Sequence, residues 1–244
     1  MDMLEPILTD NTPVNVAIYS DEKVNTRRFN TLMISGIALP IVLYPFLSTL
    51  FLSATQDLLY KLIVSRFLIW AILGVLYLYA RYGQMQSFLL WKEEKYDASF
   101  YIKAIIGVYL LCFASAIIAH VPTWLGLHEN NSVLYKMGAI MKQYPVLLVF
   151  SAATAGITEE LVFRGYILSR LSLFFNNRHW PVIISSALFS FMHLGYKTVS
   201  ELLFSFLIGI VMAYHYQKYR SITVVIIVHF LVDLIALSMF KGHR

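Results

Sequence analysis

"YPVLLVFSAATAGITEELVFRGYILSRL", residues 144–171, is an almost unbroken apolar run that carries Glu159, Glu160 and Arg164 in its interior. The run is long enough to cross a bilayer, whose hydrocarbon core takes about 20 residues of helix. Each ionisable group held there costs about 2.5–3.5 kcal/mol on insertion scales, and such groups usually mark function. Three of them in one span demand a reason.

The chain around this run is built for lipid. Of 244 residues, 59% are hydrophobic and 14% charged, where a soluble domain carries about 25% charged residues. A single soluble domain of this length still exposes roughly a quarter of the surface of its unfolded chain, so it could not hide so much apolar surface. The net charge of +5 needs no nucleic acid, because lysines and arginines gathered in the loops on one side of a membrane give the same excess. Cys112 is the single cysteine, which leaves no disulfide framework.

Seven stretches approach membrane-spanning length, at about 31–53, 60–81, 101–121, 144–171, 180–195, 199–217 and 221–240. The expected fold is an all-α polytopic membrane bundle of about seven transmembrane helices, with an intramembrane polar cavity. The chain divides into a polar tail (1–30), N-terminal helices and loops (31–143), a helical core carrying the chemistry (144–240) and a short tail (241–244). The first thirty residues lack the basic start and apolar centre of a signal peptide. Eleven lysines and arginines fall in segments on the side of the N-terminus and six on the other, which predicts a cytoplasmic N-terminus.

Ionisable residues near span ends reach water along their aliphatic stems. Arg66, His120, His179 and His215 are read that way. Glu159, Glu160, Arg164, His193, His229 and Asp233 remain deep. At about 1.5 Å per residue, Glu159, His193 and Asp233 each lie roughly 18 Å inside from the same side, and His229 about 12 Å. Asp233 follows His229 by four residues, as Arg164 follows Glu160, so each pair shares a helix face.

The set suits the handling of water. A carboxylate beside an imidazole can take a proton from water and pass it to a leaving group, while a second imidazole stabilises an oxyanion. Glu159, His193, His229 and Asp233 could equally hold a divalent metal such as zinc. The residue types leave both versions open. Two other readings compete: an ionic network that only ties helices together, and the proton path of a coupled transporter. A relay across the bilayer should be spread through its depth, whereas these groups share one level.

The ordered motifs Glu159-Glu160-x-x-x-Arg164, Phe189-x-x-x-His193 and His229-x-x-x-Asp233, each in a separate apolar stretch, resemble those of the CPBP family of CAAX endopeptidases and bacteriocin-processing relatives. Phe206-x-x-Gly209 is similar to a weaker motif of that family. The resemblance covers about residues 145–235 and implies an intramembrane endopeptidase acting on a lipidated or membrane-inserted peptide or protein.

It further implies that Glu159 and His193 activate water, that Glu160 and Arg164 support them, and that His229 with Asp233 stabilises the oxyanion. Many CAAX endopeptidases carry Asn where this chain has Asp233, and an ionised Asp cannot donate to an oxyanion. Phe189 and Phe206 are expected to line the substrate cavity. No cofactor is expected to be obligatory, a zinc-type metal being the alternative. The short chain is similar to the bacterial branch, which points to a bacterial cytoplasmic membrane. A proton-coupled transporter and a non-catalytic immunity or scaffold protein remain the rival functions.

Overall fold

The structure is a computed structural model that describes residues 26–239. The expected N-terminal tail lies outside the described residues as far as residue 25, and the tail 241–244 lies wholly outside them. Thr26–Asn30, expected in the tail, already belong to the first helix.

In chain order the helices are α1 (Thr26–Leu52), α2 (Leu58–Leu78), α3 (Ala98–Ala119), α4 (Val121–Trp124), α5 (Ser132–Gln143), α6 (Pro145–Glu160), α7 (Ser169–Leu171), α8 (His179–Phe191), α9 (Val199–Tyr219) and α10 (Ile222–Met239). A π-helical turn, Tyr79–Gly83, extends α2, and a π-helical segment, Leu161–Leu168, joins α6 to α7 into one rod. No strand occurs among the described residues. The polar breaks in the sequence start the helices. Asp57 caps α2 by accepting from the amides of Leu59 and Tyr60 at 2.9 and 3.3 Å, and Asp97 caps α3 through Phe100 at 2.9 Å. Pro40 and Pro45 lie within α1 without ending it.

Among the described residues six helical rods are long and apolar enough to cross a membrane, and the chain is an integral membrane protein. The expected span 180–195 folds instead as α8, thirteen residues long, followed by the short 3-10 turn Leu194–Tyr196. At about 1.5 Å per residue α8 reaches only about 20 Å, short of a roughly 30 Å core.

Helix ends alternate between two faces. On one, Gln84 donates to the Leu32 carbonyl at 2.8 Å, Glu93 accepts from the Ile222 amide at 2.7 Å, and Gln217 donates to the Arg178 carbonyl at 3.2 Å. That face therefore gathers the start of α1, the loop after α2, the α7–α8 turn and the α9–α10 turn. At the other, Glu129 accepts from the Ser200 amide at 2.7 Å. The short α8 keeps the alternation because it lies antiparallel to α9, with the Ser190 hydroxyl donating to the Leu202 carbonyl at 2.7 Å.

Two glycines set the closest approaches. A Cβ on Gly156 would lie 3.0 Å from the Ile226 carbonyl oxygen and 3.0 Å from the Phe230 nitrogen, so α6 and α10 touch backbone to backbone. A Cβ on Gly209 would meet Ser186 Cβ at 2.9 Å, which gives the Phe206-x-x-Gly209 motif a packing role between α9 and α8. Small residues at such crossings are usual in membrane bundles.

Candidate active site

The acidic pair sits where α6 gives way to its π-helical continuation. A widened turn of this kind, common at functional sites, begins immediately after Glu160. Gly156, one turn earlier, brings that point against α10. The result is a locked layer behind a more open one.

In the locked layer Glu160 and Arg164 are 0% and 1% exposed. Arg164 Nη1 donates to Glu160 Oε1 at 2.8 Å, and the same oxygen lies 2.6 Å from His229 Nδ1. A carboxylate oxygen between a guanidinium and an imidazole accepts from both, so His229 Nδ1 carries its hydrogen toward Glu160. Glu160 thus holds Arg164 and His229 together.

Phe189 organises the same layer. Its ring lies 4.5 Å from the Arg164 guanidinium carbon, 4.7 Å from the His193 ring and 6.0 Å, edge-on, from the His229 ring. It also packs edge-on against Phe163 at 5.0 Å. A single aromatic ring therefore contacts members of all three motifs, with a cation–π attraction to Arg164. Phe189 is 1% exposed and stands behind the cavity wall. Phe206 is half-buried on α9, and neither phenylalanine lines the cavity described next.

In the open layer, a cavity of about 360 Å³ between α1, α2, α5, α6 and the turn after α8 is walled by Glu159 and His193. The Glu159 side chain is 19% exposed. His193 Nδ1 lies 2.8 Å from the Phe189 carbonyl oxygen. That oxygen can only accept, so Nδ1 carries the hydrogen and Nε2 keeps its lone pair. His229 Nε2 bridges the layers, 4.0 Å from Glu159 Oε2 and 3.7 Å from Asp233 Oδ1. Asp233, 29% exposed, is near enough to orient His229 and too far to hydrogen-bond it.

Among the described residues no three His, Cys, Asp or Glu side chains are grouped to hold a metal ion. The Glu160 contact at Nδ1 leaves His229 Nε2 open, 4.0 Å from Glu159 and 3.7 Å from Asp233.

Sequence reasoning missed several contributors. Arg66, expected to reach water at its helix end, lines the cavity together with Lys61 and Tyr196. Arg170, counted among the loop charges, is 0% exposed. It donates to Gln84 at 2.9 Å and to the Ser87 and Phe88 carbonyls at 3.0 Å each, and lies over the Tyr166 ring at 3.5 Å. Its signal was present, as an arginine inside an apolar run. Glu93 capping α10 from 129 residues away had no local signal.

Residues 141–235 match the family model described as type II CAAX prenyl endopeptidase Rce1-like. The resemblance read from the motifs is shown over that segment, which holds all six ionisable residues singled out above. No curated protein matches the chain. No solved structure matches it.

Proposed function

We propose that the chain is a CAAX-type intramembrane endopeptidase that hydrolyses a peptide bond in a lipidated or membrane-inserted substrate, with Glu159 as general base. The observation that carries this reading is that Glu159 and His193 line the same cavity, backed by buried groups that fix their surroundings.

Glu159 takes a proton from a water molecule in the cavity as the water oxygen attacks the carbonyl carbon. The resulting tetrahedral intermediate collapses when that proton passes to the departing nitrogen, with His193 Nε2 as the second proton carrier. The new carboxylate and the freed amine leave. A positioned acid–base group of this kind contributes about 10²–10⁴-fold. His229, held by Glu160 at Nδ1, donates from Nε2 to the oxyanion as the imidazolium, the form that the carboxylates of Glu159, Glu160 and Asp233 around it favour, and one such donor is worth about 10²–10³-fold. Asp233 orients that ring rather than donating. Water delivery depends on the cavity, because hydrocarbon will not supply it. A carboxylate and an imidazole suffice for these transfers, so the reading includes no obligatory metal.

The excess of lysine and arginine on the face that gathers the α1 start and the 84–97 loop supports an N-terminus in the cytoplasm, and the proposed setting in a bacterial cytoplasmic membrane rests on the likeness of the short chain to the bacterial branch.

Purified full-length protein in nanodiscs, offered lipidated and membrane-inserted peptides, tests the proposal. Wild type is expected to cleave, Glu159→Ala to lose at least about 10²-fold, and activity to survive a chelator. Undiminished cleavage by Glu159→Ala refutes the mechanism, and loss on chelation replaces it with a metal-dependent one.

A further inference from the structure

The cavity has a second polar wall that the hydrolytic chemistry does not use. Between Leu58 and Leu78, α2 carries two charges, Lys61 and Arg66, and both line the same cavity as Glu159 and His193. Most of the remaining lining is aliphatic, Leu62, Ile69 and Met137 among it.

Arg66 differs from the other arginines within the spans. Arg164 is matched by Glu160 at 2.8 Å and Arg170 by three acceptors at 2.9–3.0 Å. Neither Arg66 nor Lys61 forms an ion pair among the described residues. The contact of Arg66 Nε is the neighbouring Ser65 hydroxyl at 3.4 Å, at the limit of a hydrogen bond. A guanidinium in a membrane span that lines a cavity and forms no ion pair there offers a bidentate site for a carboxylate or a phosphate.

Its distance from the chemistry follows from the packing of α2 beside α6. Trp70 Nε1 donates to Thr154 Oγ1 at 3.2 Å, and the Phe67 and Phe150 rings lie 6.1 Å apart, so the two helices run level at these pairs. Arg66 lies four residues before Trp70 and Glu159 five residues after Thr154. Nine residues at about 1.5 Å each separate the two levels by about 13 Å, or about four residues of extended chain.

We propose that Arg66, seconded by Lys61, is an anion subsite that holds a carboxylate or phosphate of the bound substrate or its lipid about 13 Å along the bundle from the bond attacked at Glu159. The inference rests on the endopeptidase reading and adds a ruler to it: the position of a negative group selects the bond that is cut.

The test uses full-length protein in phosphatidylcholine nanodiscs and paired membrane peptides ending in a carboxylate or a carboxamide, two, four or eight residues beyond the cleaved bond. For wild type the acid-to-amide ratio of kcat/KM should be on the order of tenfold at four residues, the size of one charge-assisted contact, and near unity at eight. Arg66→Gln should bring the four-residue ratio to about one, and Arg66→Lys should keep part of it. If the anion belongs to lipid, the wild-type ratio is flat but amide cleavage rises when phosphatidylglycerol is added, and Arg66→Gln abolishes the rise.

A ratio that persists in Arg66→Gln overturns the subsite, as does a wild type indifferent to both carboxylate and phosphatidylglycerol. Glu159→Gln cleaving like wild type defeats the general-base role of Glu159 instead and leaves the subsite standing. Should wild type cleave nothing, anisotropy of the same labelled peptides decides the subsite alone: acid-selective binding lost in Arg66→Gln upholds it, and equal binding of acid and amide refutes it.

Discussion

Glu159 and Glu160 are chemically identical neighbours, and their surroundings separate them. Glu160, 0% exposed, is held by both Arg164 and His229, while Glu159 faces the cavity and its nearest cationic partner is His229 at 4.0 Å. Removing one partner of a buried ion pair leaves an uncompensated charge and costs about 3–5 kcal/mol. Glu160→Gln should therefore lower the melting temperature markedly and lose activity with it. Glu159→Gln should lose activity at nearly unchanged melting temperature. Thermal unfolding of the two variants in one detergent, read by tryptophan fluorescence, checks the split, and equal melting temperatures would contradict it. The six ionisable residues were legible because a charge inside an apolar run is conspicuous. Which carboxylate did what was not, because adjacent residues on a helix differ only by about 100° of rotation, and a packed neighbour decides which way each faces.

The elements bring these residues together through contacts that the sequence shows only faintly. Gly156 permits the approach of α6 to α10 that carries Glu160 to His229. Gly156→Val should push the helices apart and lose cleavage, while Gly156→Ala, a smaller intrusion against the same backbone atoms, should lose less. Measured kcat with thermal stability beside it ranks the pair, and equal activity of Gly156→Val and wild type would remove the role given to this crossing. The start of α9 depends on Glu129, across the chain from it. Against the upward pull of partial burial, hydrogen bonds from the Ser200 amide and hydroxyl, the Val199 amide and the Thr123 hydroxyl hold the Glu129 carboxyl below its ordinary value. A carboxyl depressed on folding contributes stability that is fully present above its unfolded value and is lost as pH falls through its folded value. Protection of the first α9 amides in hydrogen exchange should thus decline on acidification below the usual carboxylate range, and Glu129→Gln should start with weaker protection and show no such decline. Apolar periodicity made the long helices legible. It overextended α8, because a short apolar helix with its following turn has the composition of a complete span. Long-range caps such as Glu129 and Glu93 could not be read, since their partners lie 71 and 129 residues away.

For the whole molecule, the question is which way the bundle sits in its membrane. The charge bias was read on the assumption of seven spans, yet six full-length rods leave it intact, because α8 and α9 form a hairpin that returns the chain to the face it left. One member of the bias changes character: Arg170 is wholly buried, tying Gln84 and the Ser87–Phe88 carbonyls to the end of the acidic rod, so it stabilises the bundle instead of facing headgroups. Lys92 and Lys95, both exposed in the 84–97 loop, keep the basic bias of that face, on which the proposed cytoplasmic orientation rests. Cys112 is 1% exposed, so the parent protein should resist a membrane-impermeant maleimide. Single cysteines introduced as Lys95→Cys and Asn130→Cys occupy exposed positions on opposite faces. In intact cells of a bacterial host Asn130→Cys should be labelled and Lys95→Cys should react only after permeabilisation. The reverse pattern would invert the bundle and place the Glu129 end in the cytoplasm. Labelling of both in intact cells would mean that the 84–97 loop and the Glu129 end do not lie across a membrane from one another.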